Sequence, residues 1–536
     1  MMKLRATEES PPLSNGSFMK KIRLYDYQQE MLGKIIDILT ADGRQYVYEK
    51  GRKKAATANS VMVQMPTGTG KTYVMASVVK WYLDSHPEGE VWIIAHRREL
   101  VEQMQQTLDR FCLAYGGKEL SLVAKVRIRV MSIQWLSVHM GDMQGKPGLI
   151  VVDEAHHAIA DTYQNMFEHN RQALRVGMTA TPCRMKRTSF VKVFARIIES
   201  PSTKNFIMRG YLAPYDYVVT GKYSADQMAV NQLKGRGSDG DYAVREMDEK
   251  LNIPQAIRRL FDSVRTYASG RKGIVYAIDI AHAKAIAECY NALGLRSVAL
   301  DSNTPSGTRR RMVEAFREGE LDCLVNVNLF DEGFDCPDVE FIQMARPTLS
   351  LAKYLQMVGR GLRINKDDKD KVCMIIDNVG NYRKFGLPDS SRDWVSMFAG
   401  LKDGKGIVPP YVGKLSSIAV TDDEMLMVKK ADTHRSGMSP RQLRIYLQDV
   451  RPFVSDGLYG LCVADDIILS PMYRRITQFY GDYAAFCIVD KKYGLLDRSG
   501  KIAVMPEYRD IAYLGDNSFR LTKQNKDTEV VNLSFL

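Results

Sequence analysis

The chain is poor in the features that define several common protein classes. Its eight cysteines stand at 112, 183, 289, 323, 336, 373, 462 and 487, and no two have C-x-x-C spacing. That pattern indicates neither a zinc site nor a redox pair. Most of them lie inside apolar runs and read as small buried hydrophobes in a reducing compartment, so a cytoplasmic location is expected. No apolar run approaches the ~18 residues of a membrane span, so no membrane partner is expected. The first twenty residues, MMKLRATEESPPLSNGSFMK, lack the apolar core of a signal peptide and read as a disordered lead-in.

What is present is ordinary in bulk and basic in balance. With 536 residues the chain is too long for one core, and length suggests about three to four domains. Apolar residues make up 45% and charged residues 26%, both globular values. The net charge of +12 fits a polyanionic partner or a surface of scattered solvated lysines equally well.

One stretch organises the rest. Val61 to Thr72 reads VMVQMPTGTGKT. A short apolar strand ends in a Gly/Thr turn, and a helical run from Tyr73 to Leu83 follows. Pro66, Thr67, Gly68, Thr69 and Gly70 would form a loop whose N–H groups wrap an anion, helped by the positive end of the helix. Lys71 would reach the terminal phosphates of ATP, and the Thr72 hydroxyl would hold Mg²⁺. The strict phosphate-loop pattern has glycine where Met65 stands.

Strands and helices then alternate. Apolar strands are expected at 91–95, 126–131, 149–152 and 174–178, and again at 273–277, 297–300, 323–327, 341–344 and 372–377. This alternation predicts an α/β fold with parallel sheets. In such sheets ligands collect at the carboxyl ends of the strands. The polar clusters His96-Arg-Arg, Asp153-Glu-Ala-His-His157 and Thr179-Ala-Thr-Pro182 all follow strands in this way. The expected division is a lead-in at 1–20, a first α/β domain at 21–221, a linker at 222–250 and a second α/β domain at 251–401. A second linker at 402–440 and a β-rich region at 441–536 complete it. The basic run from Asp42 to Asn59 reads as a loop or short insertion.

An ATPase needs more than a phosphate cradle. Asp153 at a strand end can share Mg²⁺ with Thr72, and Glu154 can position or activate the attacking water. Arg360 and Arg363, three apart on one expected helix face, can neutralise charge developing on the γ-phosphate. Thr179 and Thr181 can sense the state of that phosphate. Singly, each has a plain alternative: Asp153-Glu154 as a helix start, the arginines as a solvated face. Jointly, and in this order at strand ends, they read as one site.

With these motifs in place the chain resembles the superfamily 2 helicases and translocases, over about Ile22 to Asn381. LYDYQ is similar to their adenine-recognising motif, which implies an adenine contact for Gln28; the family usually has Arg where Tyr25 stands. MPTGTGKT, AHRREL, Ser132-Ile-Gln134, DEAH, TATP, IVYA, LFDEGFDCP and QMVGRGLR follow in family order. The resemblance implies two tandem RecA-like domains with ATP between them, and a catalytic set of Lys71, Asp153, Glu154, Gln356, Arg360 and Arg363. It implies that Gly333 and Asp335 lie near ribose or nucleic acid. Arg97, Arg98 and Ser132 become candidate nucleic-acid grips, although the two arginines equally suit a solvated helix face. The variants TATP, EGFDCP and QMVGRGLR are similar to RadD-type and UvsW-type DNA enzymes and to type I restriction motors, so DNA is favoured over RNA. A nuclease carboxylate set is not visible.

In the last hundred residues Tyr459-Gly-Leu461, Pro471, Tyr473 and Ile476 recur as Tyr493-Gly-Leu495, Pro506, Tyr508 and Ile511. The offset of 34–35 residues predicts stacked β-hairpin units. They resemble WG repeats with Tyr in place of Trp, which implies a module for binding a protein partner. The resulting expectation is an ATP-dependent helicase or branch-migrating translocase on DNA. The alternatives are an RNA-directed remodeller and a nucleotide-gated module that recruits partners through its repeats.

Overall fold

The computed structural model describes residues 24–42, 45–49, 52–56, 58–96, 98–111, 113, 127–143, 145–184, 189–301, 303–327, 339–365, 368, 371–390, 392–400, 425–431, 450–455, 457–463, 466–489, 492–498, 500–515 and 517–533. The lead-in at 1–20 lies outside the described residues, as do Arg97, Gly333 and Asp335.

Two parallel sheets form the body. The first has six strands in the spatial order Ile128–Ser132, Val91–Ala95, Leu149–Val152, Leu174–Thr179, Ser60–Gln64 and Arg196–Glu199. Every pairing in it is parallel. Its strands 60–64, 91–95 and 149–152 are buried at every position, as helices on both faces require. The second sheet runs Ser297–Leu300, Cys323–Asn326, Gly273–Tyr276, Phe341–Met344, Cys373–Asp377, Tyr215–Val219 and Leu426–Lys429. All its pairs are parallel except the last, which is an antiparallel edge. Two RecA-like domains are the result.

Several expected boundaries require correction. Tyr215–Val219 belongs to the second sheet, paired with Cys373–Asp377, so the first domain ends before 215 and not at 221. Residues 222–250 are not a linker: helices Ala225–Asn231 and Val244–Leu251 lie there, with Met247 and Leu251 buried. The Gly/Asp-rich composition masked two short amphipathic helices. Within the second expected linker, Leu426–Lys429 is the edge strand of the second sheet. The basic run after Asp42 contains a hairpin, Tyr46–Glu49 against Arg52–Ala55.

The C-terminal region consists of three small antiparallel sheets of three, four and three strands. The 34–35-residue offset is visible in their geometry. Phe453 faces Gly460 across one strand pair, and Phe486 faces Gly494 across the next. A Cβ on either glycine would stand 2.8 Å from the opposing phenylalanine ring, so only glycine fits. Tyr459 pairs with Tyr473, and Tyr493 with Tyr508; a register shift follows each of these tyrosines. This region is fastened to the first domain. Lys204 Nζ, on helix Thr203–Met208, donates to Asp482 Oδ1 at 3.0 Å and to the Gly481 carbonyl at 3.3 Å. Asp482 also accepts from Arg498 Nε at 3.4 Å and Asn517 Nδ2 at 2.8 Å.

Candidate nucleotide site

The loop after strand Ser60–Gln64 has the backbone that its glycines allow. Gly68 and Gly70 have φ of +86° and +76°. Gly70 sits at the N-terminus of helix Lys71–Ser85, where no side chain caps the exposed N–H groups. A Cβ at Gly70 would lie 2.5 Å from Gln28 Nε2. Thr69 Oγ1 closes the turn by donating to the Pro66 carbonyl at 2.8 Å.

Helix Asp26–Thr40 braces this loop. The Tyr27 hydroxyl donates to the Thr69 carbonyl at 2.8 Å, and Gln28 Nε2 donates to the same oxygen at 3.4 Å. Gln28 Oε1 accepts from the Tyr25 N–H at 3.0 Å. Tyr25 and Tyr27 gather against Tyr211 at ring separations of 5.0 and 4.8 Å, and Arg209 reaches Asp26. Tyr27, Arg209 and Tyr211 are supporting residues that sequence reasoning missed. Only the place of Tyr27 beside Gln28 hinted at the first, and nothing local marked the other two.

Lys71 is the meeting point of the polar clusters. Its Nζ donates to the Met65 carbonyl at 3.4 Å. Burial lowers its pKa, Glu154 and Asp153 act in the opposite sense, and Arg360 and Arg363 add to the lowering. One lysine therefore feels both carboxylates from the first domain and both arginines from the second. Asp153 follows strand Leu149–Val152, and its Oδ1 accepts the Glu154 N–H at 2.9 Å. Glu154 adopts φ +47°, unusual for a non-glycine residue. His156 Nδ1 lies 3.2 Å from Glu154 Oε2 and 3.1 Å from Thr179 Oγ1. That oxygen accepts the Thr181 N–H at 3.1 Å, and both threonines are fully buried. His156 thus bridges the carboxylate cluster and the threonine loop. It lay inside DEAH, yet was given no role by sequence.

The arginines come from helix Leu351–Gly361 of the second domain. Gln356 and Arg360 are 5% and 4% exposed on it. Gln356 Nε2 is buried without a hydrogen-bond partner among the described residues. Arg363 is not on the helix face as expected: the helix ends at Gly361, and Arg363 lies beyond the Leu362 cap. The helix still meets the phosphate loop, because a Cβ at Gly359 would stand 2.8 Å from Thr67 Cβ. Alongside, Pro66 and Thr67 line an open cleft together with Val358 and Leu362.

The candidate grips are less informative. Arg98 opens helix Arg98–Arg110, and Arg97 lies outside the described residues. The Ser132 hydroxyl caps the next helix by accepting the Trp135 N–H at 3.3 Å. Among the described residues no group of three or more metal-binding side chains occurs, and no helix is long and apolar enough to cross a membrane.

The residues present suit a magnesium nucleotide. The uncapped helix start, the left-handed glycines and a buried lysine are anion-binding features. Thr72 and Asp153 are hard oxygen donors of the kind that bind Mg²⁺.

Residues 21–184 match the family model described as type III restriction enzyme, res subunit, and residues 253–365 match the helicase conserved C-terminal domain. A 51.5 kDa protein of a Lactococcus phage (isolate 7-9) is 33% identical over 349 residues, covering 64% of this chain and 71% of the phage protein. A Saccharomyces cerevisiae protein given the name of an ATP-dependent helicase, IRC3, is 24% identical, covering 67% of this chain and 51% of its own. The DNA 3'-5' translocase XPB2 of Sulfurisphaera tokodaii is 24% identical, covering 59% of this chain and 77% of its own. The match thus spans about half the length of the yeast relative and about seven-tenths of the phage protein.

Proposed function

The chain belongs to the superfamily 2 helicases, and on that premise we propose that it is an ATP-driven motor acting on DNA, as a helicase or branch-migrating translocase. The observation that carries this reading is that the arginine helix of the second domain closes on the loop of the first: a Cβ at Gly68 would stand 3.4 Å from Arg363 Cγ, and one at Gly359 would stand 2.8 Å from Thr67 Cβ.

In this reading the loop from Pro66 to Thr72 and Lys71 hold the phosphates of ATP. Thr72 and Asp153 hold Mg²⁺, which when bound neutralises phosphate charge and orients the γ-phosphoryl group. Glu154 takes a proton from the attacking water, held in aim by His156. Arg360 and Arg363 stabilise charge on the transferring group, and Gln356 offers a further N–H from the same helix. Gln28, braced on the loop by Thr69, reads the adenine. Thr179 and Thr181, linked to Glu154 through His156, carry the hydrolysis state toward the strand ends of the first domain. Gly333 and Asp335 contact ribose or nucleic acid. DNA crosses both domains and is gripped mainly at its phosphates, so its sequence is not read. Arg97, Arg98 and Ser132 are the proposed grips. The DNA assignment draws support from the motif variants and from the name of the archaeal relative. The C-terminal region we read as WG-type repeats that bind a protein partner in the cytoplasm. Supporting this, Ile467, Met472, Met505 and Val530 are all more than half exposed.

The test is the steady-state ATPase rate without nucleic acid and with single-stranded, duplex or forked DNA or RNA. Stimulation by DNA, greatest on forks and lost in Lys71→Ala, is expected. Stimulation by RNA alone would reassign the track. A flat low rate on all of them would leave the repeats as the functional part.

A further inference from the structure

The segment that joins strands Tyr215–Val219 and Gly273–Tyr276 of the second sheet contributes a contact that the motor reading has not used. Residues 235–243 form a tight turn: Arg236 bridges to Tyr242, and the Gly237 N–H donates to the Asp241 carbonyl at 2.8 Å. The turn delivers the Asp241 carboxylate, 1% exposed, to the loop that leads into helix Leu351–Gly361. Asp241 Oδ1 accepts the Leu349 N–H at 2.6 Å. Oδ2 accepts from Thr348 Oγ1 at 2.8 Å and from Lys353 Nζ at 3.0 Å, and Arg346 stands 3.9 Å away. Lys353 Nζ also donates to Asp239 Oδ2 at 2.9 Å. From the other side, Asn381 Oδ1 accepts the Thr348 N–H at 3.0 Å, and its Nδ2 donates to the Arg346 carbonyl at 3.2 Å.

A carboxylate this buried is tolerated because donors surround it, and each of those donors belongs to the entry of one helix. Lys353 and Arg360 are seven residues apart, so they lie on the same face two turns apart, about 10 Å along the axis. Fixing Lys353 therefore fixes the rotation and the axial height of Arg360.

We propose that Asp241 is a positioning residue for ATP hydrolysis, which clamps the start of this helix so that Gln356, Arg360 and Arg363 meet the nucleotide in register. The proposal rests on the motor reading above. Displacement of a catalytic cation by about 1 Å costs on the order of a hundredfold in rate. Because the phosphate loop belongs to the other domain, nucleotide affinity is not expected to follow.

The experiment measures kcat and KM for ATP in the full-length protein with its best stimulating nucleic acid, beside binding of a fluorescent ADP analogue and thermal melting. Asp241→Ala is expected to lower kcat about ten- to a hundredfold. KM and analogue binding should stay within about twofold. Asp241→Asn keeps one acceptor oxygen, for the Leu349 N–H, and loses the one that takes Thr348 Oγ1 and Lys353 Nζ, so it is expected to lie between Asp241→Ala and wild type. Wild-type kcat in a folded Asp241→Ala overturns the proposal, and so does a raised KM with kcat retained. If Asp241→Ala does not fold, Asp241→Asn decides by the same split: reduced kcat at unchanged KM supports the clamp, and unchanged kcat overturns it. A wild-type protein that hydrolyses no ATP on any nucleic acid is a different failure, seen before any variant is made. It removes the motor reading and the clamp with it.

Discussion

Two helix starts in the two RecA-like domains solve the same local problem in opposite ways. Strand Ser60–Gln64 runs into helix Lys71–Ser85, and strand Gly273–Tyr276 runs into helix Ile280–Ala292. Each helix begins with N–H groups that have no partner within the helix. In the second domain Asp279 fills the need, its Oδ1 accepting the His282 N–H at 2.9 Å. In the first domain the cap position is Gly70, left-handed and without a side-chain cap. The domain that caps its helix keeps the helix as a structural part. The domain that leaves the helix open keeps the uncapped N–H groups that the proposed phosphate site requires. In the proposed function, the absence of a stabilising side chain is what the site uses.

The sharpest way to break this contrast is to give the first domain the second domain's cap. Gly70→Asp places a carboxylate at the anion site, on a backbone with φ +76° and against Gln28 Nε2. ATPase activity and binding of a fluorescent nucleotide analogue are both expected to fall by at least about a hundredfold, since charge repulsion and lost loop geometry act together. Retained nucleotide binding would mean that the open helix start is not the phosphate site.

The second domain's helix start carries a pH signature in the acid range. His282 is 1% exposed, and its Nδ1 accepts the Ile278 N–H at 3.3 Å. Burial lowers its pKa to about 4, with Asp279 opposing weakly. Between pH 6.5 and about 4 the unfolded chain binds the proton and the folded domain does not, so stability falls as pH falls through this window. The full difference is on the order of 3 kcal/mol. Denaturant melts at pH 7 and pH 4.5 should show the slope, and His282→Leu should flatten it. The same slope in the variant would assign it to other groups.

The smallest effect is expected from removing the cap itself. Asp279→Ala should destabilise the second domain by about 1 kcal/mol and leave nucleotide binding unchanged. A large loss of nucleotide affinity in this variant would mean that the two helix starts are coupled across the cleft, and the contrast between them would need revision.

Much of this was legible in the chain. Continuous apolar strands such as VWIIA and LIVV report burial on both faces, and the polar clusters that follow them mark one edge of a parallel sheet. Glycine at 68 and 70 followed by Lys71 specifies a backbone that few other residues adopt. The spacing of Tyr459-Gly and Tyr493-Gly registered a repeat whose glycines do face phenylalanines. Composition misled where long-range pairing decided. The stretch 222–250 reads as a linker by its Gly, Asp and Lys content, yet Asp241 is nearly inaccessible, with three donors and the Arg346 guanidinium, all from residues more than a hundred positions away, converging on it.

What the sequence by itself determined, then, is local: the period of its strands, the permissive backbone of the phosphate loop, and the residue types able to handle phosphate and magnesium. The tertiary structure alone decided which residues meet. It moved Tyr215–Val219 into the second sheet, set His156 between Glu154 and Thr179, and brought Arg363 to Gly68 from 295 positions along the chain. The physical reason is range. Backbone preference and hydrophobic periodicity act over a few residues, whereas the partner of a buried charge is set by the packing of whole sheets and helices, which no local pattern records.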